Sequence, residues 1–168
     1  MGHVWAGMVV VCLCLAPTRA AAEEISHVRG TGVRSNRLIE SALEHSPTVA
    51  YLVNRLQASD VFVYVTVGLI DLDTAKTVLL GTPGNYRYLR VSINVTQSLG
   101  QQIVLLGHEL QHALEIAEAP DVRDGNTMAA LFKRIGWRSG RPNQYETHLA
   151  QAVGARVRRD VLSRLGAY

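Results

Sequence analysis

The sequence predicts a single α+β domain, and three observations carry that prediction. The 168 residues, 48% of them hydrophobic, suit one compact globular unit. Runs with helical apolar spacing lie at both ends of the chain. Between them stand three stretches rich in β-branched and aromatic residues, so the order is helices, then strands, then helices. That order argues for a small mixed or antiparallel sheet packed on helices, not a regular βαβ alternation.

Residues 1–22 are set apart before any folding argument. "VWAGMVVVCLCLA" is an apolar run too short to span a bilayer comfortably, and "PTRAAAEE" follows with small residues before a charged start. This is the outline of a secretory signal cleaved after Ala20 or Ala22, with an uncleaved membrane anchor as the alternative. The expected mature domain is therefore 23–168, exported to a periplasmic or extracellular compartment. Both cysteines, Cys12 and Cys14, fall inside the leader. The mature chain then has no disulfide framework and no thiolate, and any metal must be held by histidine and carboxylate. Arg19 is the only charged side chain of the leader, which leaves 16 basic against 14 acidic residues, a balance of +2. So weak a charge argues against nucleic acid or an anionic membrane as partner.

Along the mature chain, "SNRLIESALEHS" has helical apolar spacing with Ser35 or Asn36 as a cap. "SPTVAYLVNRLQAS" restarts a helix with Pro47 in its first turn, where a missing N–H costs nothing. "DVFVYVTVG" is nearly continuous in β-branched and aromatic residues and reads as a central strand buried on both faces. "KTVLLG" is a shorter strand that runs into the turn residues "TPGN". In "YRYLRVSINV", Leu89, Val91, Ile93 and Val95 alternate with Tyr88, Arg90, Ser92 and Asn94, which predicts a half-buried strand near an edge.

The next helix opens at Ser98, with Gln101 three residues later, and its apolar spacing runs to Ala117 before Pro120 closes it. "NTMAALFKRIG" forms a short helix, "WRSGRPN" a loop, and "YETHLAQAVGARVRRDVLSRL" a final long helix.

The helix from Ser98 carries "GHELQHALEI". His108 and His112 stand one turn apart, so their imidazoles project from the same face about 6 Å apart. Two ring nitrogens can then meet one ion at about 2 Å each. Glu109 points about 100° away around the helix and can act on a water without competing for the metal. Leu106, Leu110, Ala113, Leu114 and Ala117 make an apolar stripe nearly opposite the histidines, yet Val104 and Leu105 flank the histidine side. A helix apolar on both sides is sandwiched, and histidines there need partners, either a metal or ordinary hydrogen bonds.

The third donor is sought further along. Glu115 shares the histidine face but lies two turns from His108, which makes it a supporting or solvent-facing residue. Glu118 turns away. Asp121 and Asp124 sit in "PDVRDGN", which reads as a solvated turn. Glu146 falls on the stripe Leu149, Ala150, Val153 and Val157 of the last helix, where an unpaired carboxylate is costly. His148 points to the opposite side. Glu146 is thus the favoured ligand, with a salt-bridged residue of the first helical turn as its alternative. Ala150, Ala152, Gly154 and Ala155 are small enough to let another helix approach closely.

These residues resemble a zincin metallopeptidase, and "HELQH" at 108–112 with a glutamate from a later helix resembles its gluzincin subgroup. The resemblance covers the second half of the mature chain. It implies a zincin-like α+β fold and one zinc ion per chain, held by His108, His112 and Glu146, with Glu109 as general base. It further implies hydrolysis of a peptide or protein substrate that pairs with an edge-like strand, here 86–95, by a single-domain monomer. The metzincin subgroup wants Gly at 115 and His or Asp at 118, where this chain has Glu115 and Glu118. Many gluzincins carry Asp four residues after the ligand glutamate to orient a zinc histidine. Here that position is Ala150, which leaves the orienting group unidentified and keeps open a non-catalytic exported metal-binding or protein-binding domain.

Overall fold

The computed structural model describes residues 26–70, 74–140 and 144–165, so the predicted leader at 1–22 lies outside the described residues. They form a mixed α+β structure with five helices. In chain order the elements are β1 (Val28–Gly30), α1 (Val33–His45), α2 (Pro47–Gln57), β2 (Val61–Gly68), β3 (Ala75–Gly81), β4 (Arg87–Asn94), α3 (Leu99–Ala117), α4 (Gly125–Ile135), β5 (Trp137–Arg138), β6 (Tyr145–Glu146) and α5 (His148–Leu165). Four strands make the main sheet in the order β1-β2-β4-β3. The first three run parallel, and β3 lies antiparallel to β4 at the margin.

The strand at 86–95 lies beside an edge but is not itself one: β4 sits between β2 and β3, and the sheet's edge strands are β1 and β3. Its clean alternation has another cause. Among the described residues helices cover one face of the sheet, so Leu89, Val91 and Ile93 are fully buried while Arg90 on the other face is exposed. For the same reason β2 is not buried on both faces. Val61, Val63 and Val65 point into the core, whereas Phe62, Tyr64 and Thr66 are only half-buried. The apolar content of that second face is aromatic, and the rings cover one another. Phe62 stacks on Tyr88 at 5.4 Å, Tyr64 on Tyr88 at 6.2 Å, and the Arg29 guanidinium lies over both Phe62 and Tyr64.

Local signals account for the helix ends. The α1 helix starts slightly before its predicted caps: Ser35 accepts from the Gly32 N–H and donates back to the Gly32 carbonyl from inside the first turn. Ser46 caps α2 by accepting from the Val49 N–H, with Pro47 in the first turn as predicted. Ser98 caps α3 through the Gln101 N–H. The α3 helix ends at Ala117 and is the hub of the fold, buried on nearly every side. Gly107 lets α5 come close, because a Cβ there would stand 2.6 Å from Val157 Cγ2.

The end of α3 is tied down by a residue with no apparent role in the sequence. Arg87 shares the inward parity of Leu89 and is 1% exposed. Its guanidinium donates to the carbonyls of Ile116, Ala117 and Ala119, and to both oxygens of Asp60 at 2.6 and 2.9 Å. It brings a charged donor to the carbonyl end of the helix, where Ile116 and Ala119 also accept a backbone N–H. Arg87→Met should therefore destabilise the protein by about 3–5 kcal/mol, since the Asp60 carboxylate loses its buried guanidinium partner and the three carbonyls lose a charged donor. Denaturant unfolding at neutral pH measures this. The hydrogen bond from Arg87 holds the Asp60 pKa below its ordinary value. Its contribution is thus present above the unfolded-state pKa of about 4 and is lost as the pH falls through the lower folded-state value. The gap between parent and variant should accordingly narrow in acid.

Candidate metal centre

His108 and His112 leave α3 from one face, with ring centroids 4.9 Å apart and planes nearly perpendicular. Their Nε2 atoms converge on one carboxylate oxygen, Glu146 Oε1, at 3.3 Å from His108 and 3.6 Å from His112. One donor atom from each of the three residues lies within 4.8 Å of the others. Tetrahedral coordination with bonds of about 2 Å separates neighbouring donors by about 3.3 Å. The donor set, two imidazoles and a carboxylate, therefore fits a metal ion in both chemistry and spacing.

Glu146 reaches this point by a route the sequence did not predict. It is not in the final helix: α5 starts at His148, and Glu146 ends the short strand β6, which pairs with β5 as an antiparallel ribbon. The stretch "WRSGRPN" is thus not all loop, since Trp137 and Arg138 belong to that ribbon. Helical propensity in "YETH" is overridden by Thr147, which accepts from the Ala150 N–H and starts the helix after itself. Gly136 makes the ribbon feasible, because any Cβ there would collide with the Glu146 carbonyl. With the register so set, Ala150, Val157 and Val161 are buried while Leu149 is 54% exposed, outside the predicted stripe. The α5 helix still packs over the site, and an added Cβ at Gly154 would sit 3.5 Å from His108 Nδ1.

Glu109 is buried and turned towards the edge strand, where Thr77 Oγ1 donates to its Oε2 at 2.7 Å. Burial raises its pKa, against the opposing influence of His112, the Thr77 hydrogen bond and His108. His112 is pushed up to about 9: burial alone would lower it, but hydrogen bonds to Glu115 and Glu146 outweigh that. Burial would raise the Glu146 pKa, yet hydrogen bonds with the two histidines hold it well below the usual carboxylate range. The cluster therefore favours positive charge where the two Nε2 atoms and Glu146 meet.

Of the two places expected for Glu115, supporting or solvent-facing, it takes the first, whereas Thr77 was not expected at the site. Glu115 is buried, and one of its oxygens lies 2.9 Å from His112 Nδ1 while the other accepts from Thr147 Oγ1 at 2.7 Å. Its place three residues after His112, on the histidine face of a helix already judged to be sandwiched, was the available signal. Thr77 lay in a predicted strand with nothing to link it to Glu109. Phe132 walls the site with its ring edge-on to His112 at 5.3 Å.

The remaining candidates stand apart. Asp121 is exposed. Asp124 caps α4 by accepting from the Thr127 N–H, Glu118 pairs with Arg55 at the surface, and His148 packs on Trp137. Arg90, Ser92 and Asn94 occupy the sheet face away from α3, so they do not line the cluster.

The described residues thus make a mixed α+β protein with a His108/His112/Glu146 cluster that could hold a metal ion. Comparison with protein-family models, curated proteins and solved structures found no match.

Proposed function

We propose that this chain is an exported, zincin-like, zinc-dependent peptidase of the gluzincin kind, active on peptide or protein substrates as a monomer. The observation that carries the proposal is the convergence of His108, His112 and Glu146 donors beside a buried carboxylate, Glu109, that is not one of them. A zinc ion at this point would supply Lewis acidity to the scissile carbonyl and to the attacking water. His108 and His112 present their Nε2 atoms, and Glu146 adds the negative charge. Glu109, held by Thr77 from the edge strand, accepts the water's proton and returns it to the leaving amine. Among the described residues no strand pairs with the outer side of β3, and that margin takes the extended substrate in place of the strand at 86–95.

Export rests on the outline of residues 1–22, and no helix among the described residues is long and apolar enough to cross a membrane. The rival, a non-catalytic exported metal-binding or protein-binding domain, drew its support from Ala150. That support weakens because Glu115 already engages His112. A buried Glu109 beside the cluster also has no purpose in a mere metal holder.

The test is hydrolysis of a mixed peptide library by the purified mature chain. Chelation should bring cleavage to background, and about one equivalent of zinc should restore it. A zinc-loaded chain that cleaves nothing, or cleavage indifferent to chelation, would favour the rival or a different chemistry.

A further inference from the structure

We infer that Glu115 is the positioning residue of the metal centre, one carboxylate that orients His112 and at the same time anchors the segment carrying Glu146. The inference rests on the metal-binding reading above and supplies the orienting group that position 150 lacks.

The geometry is specific on both sides of the carboxylate. Glu115 Oε2 lies 2.9 Å from His112 Nδ1, placed to accept a hydrogen bond from an Nδ1–H. A proton kept on Nδ1 leaves Nε2, which faces His108 and Glu146, as the atom that would ligate a metal. The other oxygen, Oε1, holds the Thr147 hydroxyl at 2.7 Å.

Thr147 is the residue next to Glu146 and the cap of α5. Its own N–H donates to Glu146 Oε1 at 2.9 Å, and its hydroxyl accepts from the Ala150 N–H at 3.1 Å. Glu115 therefore grips the junction of β6 and α5 at the point where the third donor enters. Two of the three donors share this single support, although they belong to distant parts of the chain. Glu115 is 7% exposed and both its oxygens are engaged, as a buried carboxylate requires. The next carboxylate along the chain, Glu118 just after α3, is committed to Arg55 at the surface.

Glu115→Gln and Thr147→Val in the mature chain test this, with zinc affinity measured by chelator competition and the visible spectrum of bound cobalt as a second readout. Melting curves without added metal report folding separately. Glu115→Gln keeps the shape but loses the charge and half of the acceptor capacity. It should weaken zinc about 10- to 100-fold and shift the cobalt bands, with its melting temperature near that of the parent. Thr147→Val, which cuts only the link to the junction, should weaken zinc in the same direction by less. Parental zinc affinity and parental cobalt spectra in both variants would overturn the inference, because a merely structural network would lower the melting temperature and leave those readouts alone. If Glu115→Gln does not fold, Thr147→Val decides by the same criteria. A parent that binds no zinc would defeat the metal-binding reading and this inference together, and the parent measurement alone identifies that case.

Discussion

Glu109→Gln should yield a folded protein that binds zinc like the parent and cleaves peptides about 100- to 10,000-fold more slowly, the range for loss of a positioned acid–base group. Each part of that expectation has a separate basis. Folding survives because the amide is isosteric with the carboxylate and its oxygen still accepts from Thr77 Oγ1. Zinc affinity survives because the cluster of donors consists of His108, His112 and Glu146. Cleavage fails because an amide cannot take a proton from water at neutral pH. The kcat/KM on the best library peptide, read beside zinc content, checks all three parts. A variant that keeps parental activity would remove Glu109 from the chemistry and leave the cluster a binding site only.

Glu146→Ala should lose zinc by more than about 100-fold, beyond the range for removal of an orienting partner, since it takes away a donor itself. The fold should tolerate it. Glu146 is partly exposed on a two-residue strand, and its pairing with Trp137 is a backbone matter. Its Oε1 also accepts from the Thr147 N–H, so a small fall in melting temperature is expected. His148→Ala is the matched control: it removes a histidine two residues away that packs on Trp137 and should leave zinc binding unchanged. Competition titration of both variants against the parent is the measurement. Equal affinity in parent and Glu146→Ala would take Glu146 out of the site.

Much of this arrangement was legible in the residues because the signals were local. Caps and prolines act within a turn, so Ser98, Pro47 and the end of α3 before Pro120 fall where they were expected. The pairing of His108 with His112 follows from helical pitch alone. Non-local partners were not legible in the same way. Alternation in 86–95 reports which face of the sheet is covered, and it is silent on whether another strand lies alongside; β3 does. The aromatic run of β2 looked doubly buried because a hydrophobic ring stacked on its neighbours resembles one packed in a core.

Glu146 joins the two histidines as expected, but from a different element than expected. Its helical periodicity was accidental, and the ribbon with β5 depends on a close backbone approach at Gly136 that no propensity expresses. Glu115 and Arg87 were harder still. Each is a buried charge whose meaning lies in partners far along the chain: Thr147 for the first, and Asp60 with the end of α3 for the second.

The central claim, that His108, His112 and Glu146 form a metal site, is tested most directly by elemental analysis of the purified mature chain after extensive dialysis. One zinc per chain, or one taken up and retained when zinc is supplied, is the predicted result. A folded chain that remains empty after zinc is supplied would contradict the account, and the paired histidines of "HELQH" would then be core residues satisfied by Glu115 and Glu146.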